Sequence, residues 1–202
     1  MTHEAISTAT ENPMNTPDVI PPEIEMPPVV QAEETAPNPE QAVENLRLPS
    51  EQRKLLVDYT LHSTDKGQSA EHYQKVLARM DTLAERDGDD PTLGKLAVTA
   101  ATMGALTRTP DRFKQHGRSL MDRARSMGLQ DEHAKIFIRI QQDYAAKQSA
   151  GIPETLRSGL RYLDKRQQVH GEDISSARIA FLASGFAATQ DTSLRQAIVK
   201  QL

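Results

Sequence analysis

The sequence predicts an all-α domain of about seven or eight helices, preceded by a disordered, acidic, proline-rich arm. The first 45 residues contain nine acidic residues and eight of the twelve prolines, but no lysine, arginine, leucine or aromatic residue. The remainder holds all 24 lysines and arginines, 19 acidic residues, and every leucine and aromatic residue. The arm therefore carries about −9 and the remainder about +5, a contrast typical of a disordered segment joined to a compact body.

We assign residues 1–48 to the arm and residues 49–202 to one helical domain. A chain of roughly 150 residues buries about 68–70% of its unfolded surface on folding, so it needs no disulfide or metal for stability. The chain has only four tyrosines and four phenylalanines, and alanine and leucine dominate the body. This composition favours helix packing over sheet.

Prolines punctuate residues 17–40 of the arm, and each one fixes φ and removes a backbone donor. Polyproline II is the conformation favoured there, with three residues per turn. At that period one edge of the segment IPPEIEMPPVV is continuously apolar and consists of Pro21, Ile24, Pro27 and Val30. This edge predicts a docking element for a groove on a partner or on the chain's own body. The alternative is a plain spacer whose hydrophobic residues are incidental.

Start and stop signals divide the body into eight helical segments. The first begins at Pro49-Ser50 and extends to about Asp65. Its inward-facing residues are Leu55, Leu56 and Tyr59. The second follows Ser69 and ends before Gly88, since glycine commonly terminates a helix. Its apolar stripe is the clearest in the chain and consists of Tyr73, Val76, Leu77, Met80, Leu83 and Ala84.

Proline and glycine mark most ends of the remaining six segments. Asp90-Pro91 starts the third and Thr109-Pro110 the fourth, because a capping side chain before a proline favours a helix start. The later segments begin near Asp131, Pro153, Asp173 and Thr192. The stretch KIFIRI, residues 135–140, alternates as a strand does, but its helix-forming flanks favour helix.

The helix starts recur every 19 to 23 residues, so successive pairs occupy about 40 residues. Short connections between helices of similar length indicate antiparallel neighbours. The spacing fits either an irregular helical bundle or a short solenoid of helical hairpins. The segments share no positional residue signature of a repeat family.

The sequence contains no motif of a catalytic, cofactor-binding or metal-binding site, and we expect a non-enzymatic protein without a cofactor. Five residues rather than four separate Gly88 from Gly94, and no strand precedes them, so this segment does not match a phosphate-binding loop. Asp58 and His62 lie one helical turn apart, but no second pair supplies the further ligands that zinc requires. The absence of cysteine excludes thiolate catalysis and cysteine-ligated metals.

Two rows of basic residues at helical spacing are the most distinctive surface feature that the sequence predicts. The predicted buried stripe of the fourth helix is Phe113, Gly117, Leu120 and Ala124. It leaves one row on a flank of that helix, formed by Lys114, Arg118 and Arg125, and a shorter pair on the other flank, Arg112 and Arg123. The second row follows the sixth helix at intervals of four residues and is formed by Arg157, Arg161 and Lys165.

These rows favour three interpretations. Residues 108–166 hold 13 basic and seven acidic side chains. The rows could follow a nucleic-acid backbone or contact an acidic protein, including the arm itself. Interleaved acids and the lack of aromatic residues for stacking favour a plain solvated face, whose long side chains cover the core edge.

We therefore expect an interaction module, that is, an adaptor, a chaperone-like protein or a regulatory subunit whose arm binds a partner protein. The first alternative is a nucleic-acid-associated regulator that uses the basic helices. The second is a substrate or component of a specialised bacterial secretion system, because residues 1–16 resemble type III export signals in composition. The chain has no apolar run of membrane-spanning length and no secretory signal, so we expect a cytoplasmic location, or else export by a non-Sec system.

Overall fold

The structure, a computed structural model, describes residues 47–62, 70–147 and 150–202. These described residues form eight α-helices and no β-strand. The helices are α1 Ser50–His62, α2 Ala70–Asp87, α3 Thr92–Leu106, α4 Pro110–Ser126, α5 Asp131–Lys147, α6 Ile152–His170, α7 Ser175–Ala188 and α8 Thr192–Val199. The all-α prediction is confirmed, and KIFIRI is helical within α5.

The arm lies outside the described residues, including its predicted docking edge of Pro21, Ile24, Pro27 and Val30. The body begins just before the first helix. Leu48 is buried, and its N–H donates to the carbonyl of Leu202 at 2.5 Å. The start of the body is thereby joined to the last residue of the sequence.

Short polar side chains and glycines mark several helix ends, as the sequence predicts. The predicted cap Thr109 is an exception, because its side chain forms no hydrogen bond with the first turn of α4. The carboxylate of Asp90 accepts the N–H of Thr92 at 2.8 Å, and that of Asp191 accepts the N–H of Leu194 at 3.0 Å. Each contact satisfies a donor that the first turn leaves without an intrahelical partner. Three glycines that follow helices have positive φ, a region that side chains rarely adopt: Gly88 at 75°, Gly128 at 95° and Gly171 at 64°.

Two central helices, α3 and α7, form the middle of the body. Both are buried on nearly every face, and α7 is almost continuously buried from Ile179 to Ala188. Among the described helices the most extensive contact joins α3 to α7, which is four helices away in the chain, and the other helices surround this pair. In a solenoid each repeat contacts only its sequence neighbours. The architecture is therefore an irregular helical bundle.

Small residues let the two central helices approach closely. A Cβ atom on Gly104 would lie 2.2 Å from the carbonyl oxygen of Ser184, so only glycine fits at this crossing. Gly159 of α6 faces side chains instead, since an added Cβ would lie 2.6 Å from Cδ1 of Ile140 and 3.0 Å from the Phe181 ring. The alanine-rich composition thus reflects helices that pack almost backbone to backbone.

Two hydroxyl pairs connect the outer helices to α3. The hydroxyl of Thr102 donates to the carbonyl of Val98 at 2.7 Å, so the hydroxyl of Tyr59 must donate to Thr102 across their 2.8 Å contact. Tyr73 of α2 contacts Thr99 in the same way at 2.8 Å. Burial raises the pKa of Tyr59 to about 12, an effect that its bond to Thr102 only partly offsets.

The stripe predicted on α2 is narrower than the sequence suggests. Four of its members are buried: Tyr73, Val76, Met80 and Ala84. Leu77 and Leu83 are only partly buried, at the edge of the contact. A periodicity of 3.6 identifies the apolar face, but the width of the buried strip depends on how α1 and α3 approach it.

Candidate functional site

Helix α4 buries the predicted side and exposes the predicted basic residues. Gly117, Leu120 and Ala124 are buried together with Met121, while Phe113 is half-buried at the edge. The basic residues of both flanks are exposed: Arg112, Lys114, Arg118, Arg123 and Arg125. The structure places each flank beside a groove.

The α4/α5 groove has a volume of about 370 Å³ and lies between α4 and α5. Its apolar lining consists of Met103, Phe113, Met121 and Ile138. Its rim carries the predicted row of Lys114, Arg118 and Arg125. The fully buried Gln141 also lines it, and neither atom of its side-chain amide has a hydrogen-bond partner among the described residues.

The α2/α4 groove, of about 490 Å³, runs along the opposite flank of α4. Leu106 and Leu120 supply apolar surface, and Arg112 and Arg123 stand at the sides with His116 between them. The guanidinium of Arg123 lies 5.5 Å from the centre of the Tyr73 ring, where the ring quadrupole attracts it. This groove contains no acidic residue. It therefore suits a ligand that is both apolar and anionic.

The second basic row borders a third groove, the α6/α8 groove, of about 290 Å³. Its apolar lining includes Leu156, Leu160, Leu182, Leu194 and Ile198. Arg157 and Arg161 stand on its rim with Arg178 of α7, and Arg178 pairs with Asp164 at 3.2 Å. The third member of the row, Lys165, is exposed but does not line the groove.

The structure does not bring the two predicted rows together. The row on α4 borders the α4/α5 groove, and the row on α6 borders the α6/α8 groove. Among the described residues, no groove lined by one row is lined by a member of the other. Each row therefore borders its own groove.

Four members of the rows line a groove without forming an ion pair among the described residues. Within the part of the chain that the structure describes, no carboxylate pairs with Lys114, Arg118, Arg157 or Arg161. Arg125 differs, because it contacts Asp122 at 3.3 Å and Asp131 at 3.0 Å. The free charges stand beside apolar surface, where an acidic ligand would also bury hydrophobic atoms.

Two arginines outside the rows, one of them in the basic region 108–166, stabilise the fold. The guanidinium of Arg108 donates to the carbonyls of Ala187, Ala188 and Thr189, and Arg195 also donates to Thr189. These bonds satisfy the last carbonyls of α7, which has no basic residue in its own last turn. The net charge of the region thus overstates what a ligand meets.

A buried histidine, His133, forms a polar cluster with two residues at the end of α6 and in the loop after it. His133 lies 3.4 Å from the carboxylate of Glu172, which also forms a bidentate pair with Arg166. The hydrogen bond from Arg166 is the main reason that the pKa of Glu172 is lowered. The described residues contain no group of three histidines or acids arranged to hold a metal. The cluster joins α5 to the α6–α7 connection.

Nothing in the sequence indicates the grooves themselves. Their linings combine residues from three helices, such as Met103 of α3 and Ile138 of α5. Arg178 likewise joins the second row only because α7 packs against α6. The spacing of the basic residues was the only feature of these sites that could be predicted from the sequence.

Comparison of the chain with protein-family models, with curated proteins and with solved structures finds no match. Among the described helices, none combines the length and the apolar character needed to cross a bilayer.

Proposed function

We propose that this protein is a non-enzymatic, cytoplasmic interaction module, either an adaptor, a chaperone-like protein or a regulatory subunit. Its partner is a protein segment that carries both acidic and apolar side chains and binds in the grooves beside α4. The arm contributes a second contact through its apolar edge. The observation that carries the proposal is the position of the basic residues on α4, which stand on the rims of two apolar grooves.

The chemistry of the grooves favours a protein segment over a phosphate backbone. Burial of apolar surface stabilises a complex by roughly 25 cal/mol per Å², whereas an exposed ion pair adds only about 0.2–1 kcal/mol. A ligand that fills the lining formed by Met121 and Ile138 uses the larger contribution. The arginines then select for acidic partners and guide their approach.

The test is affinity capture with the full chain. The variant Arg112→Glu/Arg118→Glu reverses one charge on each groove beside α4, and both residues are exposed. The matched control, Arg79→Glu/Arg139→Glu, makes the same change in charge at exposed positions that line none of these grooves. We expect a protein retained by the wild type and the control but lost from the groove variant. Equal retention by all three proteins would refute the proposal.

The arm is tested on the same captured protein. Ile24→Asp places a charge on the apolar edge, whereas Glu25→Gln changes a residue on a different edge of the same extended segment. A charge buried in a groove without a partner is costly, so we expect the first change to weaken capture more than the second. The opposite order would mean that the arm acts through its charge alone.

Nucleic-acid binding is the second candidate, and the four-residue spacing of Arg157, Arg161 and Lys165 favours it. The direct probe is a fluorescently labelled 20-bp duplex, measured by anisotropy between 50 and 500 mM salt. Each phosphate neutralised adds about −0.9 to the slope of log K against log salt. We expect no saturable binding. A steep slope that Arg157→Glu/Arg161→Glu reduces would support a nucleic-acid-associated regulator instead.

A further inference from the structure

We infer that the α6/α8 groove holds a segment of this chain itself, residues 37–46, with the sequence PNPEQAVENL. The proposed partner site uses the grooves beside α4, so this inference does not depend on it. It rests on three observations: where the body begins, which charges the groove leaves uncompensated, and how the apolar and acidic residues of the segment are spaced.

The segment joins the body beside this groove. The N–H of Leu48 donates to the carbonyl of Leu202, and the preceding residue of that chain end, Gln201, lines the groove together with Ile198. The C-terminal end of the segment, Leu46, therefore lies only two positions before a residue that contacts the chain end beside the groove. Ten residues span about 15 Å as a helix and about 33 Å when extended, so the segment can follow the groove in either form.

The charges are complementary. Arg157 and Arg161 are exposed on the rim, one helical turn apart, and no carboxylate among the described residues pairs with them. The segment contains Glu40 and Glu44, which are also four residues apart, and it contains no basic residue. If the segment is helical, the two pairs of opposite charge match in spacing.

The apolar residues of the segment complete the match. Asn38-Pro39 is a helix start signal of the same kind as Asp90-Pro91, which precedes α3. In a helix that begins there, Val43 and Leu46 share a face, and the two glutamates lie on another. The apolar face would pack on the leucines of the groove while the glutamates reach the arginines. Docking in cis costs little entropy, because the segment is already tethered.

The experiment measures amide hydrogen exchange in residues 37–46 of the full chain. A synthetic peptide of the same ten residues gives the unprotected rate under the same conditions. We expect the amides of Val43 to Leu46 to exchange at least tenfold more slowly in the full chain than in the peptide. In Arg157→Glu/Arg161→Glu they should return to the peptide rate. The control Arg112→Glu/Arg123→Glu, which changes the α2/α4 groove, should keep the protection.

Exchanging the charges between the two sides distinguishes docking from a loss of stability. Glu40→Arg/Glu44→Arg should remove the protection without altering any residue of α6. Its combination with Arg157→Glu/Arg161→Glu should restore the protection. Exchange at the peptide rate in the wild type would overturn the inference, as would protection that survives the loss of both arginines. Capture of a partner through the α4 grooves is a separate readout, so either proposal can fail alone.

Discussion

The two central helices and α4 are similar in length but opposite in composition. The central helices, α3 and α7, each contain one charged residue, Lys95 and Arg178, whereas α4 contains seven. The first two are buried almost all round, and α4 buries a single strip. The difference shows which helix exposes charged side chains. The central helices contribute mainly apolar residues to the grooves, such as Met103 and Leu182, whereas α4 exposes basic residues on both of its flanks.

The central helices and α4 also differ in what surrounds their buried glycines. Gly104 of α3 stands against the backbone of α7, where an added Cβ would meet the Ser184 carbonyl at 2.2 Å. Gly117 of α4 is also buried, but an added Cβ would meet only the ring of Phe113, at an ordinary 3.6 Å. The central helices are fixed to each other by backbone contact, while α4 packs through side chains that can adjust.

Removing a large buried side chain from a central helix should have the largest effect. Phe181→Ala deletes a fully buried ring that stacks on Phe137 with their centres 5.7 Å apart. We expect a loss of about 3–5 kcal/mol in the free energy of unfolding, measured by urea denaturation. The matched change on α4, Phe113→Ala, removes a half-buried ring and should cost clearly less. Equal costs would mean that α4 is as much a part of the core as α7.

The buried Tyr59–Thr102 contact predicts an alkaline limit to stability. The pKa of Tyr59 is raised from about 10 to about 12, so the folded state favours the neutral phenol. Its contribution is complete below pH 10 and is lost as the pH rises to 12, which amounts to about 2–3 kcal/mol. Tyr59→Phe should reduce the fall in unfolding free energy between pH 10 and 12. Parallel falls in both proteins would show that Tyr59 ionises freely in the native state.

The same substitution should have opposite signs at the two glycines. Gly104→Ala forces the central helices apart, and we expect it to destabilise the protein by about 1–3 kcal/mol. Gly117→Ala creates no clash and gains helix propensity, so we expect it to stabilise the protein by about 0.5–1 kcal/mol. Thermal and urea unfolding of both variants test this. Similar shifts for the two would contradict the difference in packing between the regions.

The smallest effect belongs to the exposed charges of α4. Arg118→Ala removes a side chain with no ion-pair partner among the described residues, and we expect a change in stability within about 0.5 kcal/mol. Its melting temperature should match that of the wild type even if capture of the partner fails. A large destabilisation would show that the row supports the fold rather than a ligand.

The sequence predicted the helices well because their ends are local. Each boundary depends on a few residues, such as Asp90 before Thr92 or a glycine with positive φ after α2, and these signals act without tertiary contacts. The location of the basic residues on α4 was also predictable, because 3.6-residue periodicity places Lys114 and Arg118 outside once Gly117 and Leu120 are inside.

The pairing of α3 with α7 could not be predicted, since a contact between residues as far apart in the chain as Gly104 and Ser184 leaves no trace in local periodicity. The predicted width of the buried stripe on α2 was wrong for the same reason. Leu77 has the spacing of the stripe, like Met80, but it is only half-buried. The choice between bundle and solenoid was also open in the sequence, since both have the same helix lengths and connections.

The acidic arm, the helices and the basic character of α4 can be read from the sequence alone, because composition, capping and periodicity act over a few residues. Which helices fill the centre, and where grooves open, depends on how the helices pack together. Close packing selects partners through the fit of whole surfaces, as the contact between Gly104 and Ser184 illustrates. A groove such as the one lined by Met103, Ile138 and Arg118 therefore exists only after three helices have met.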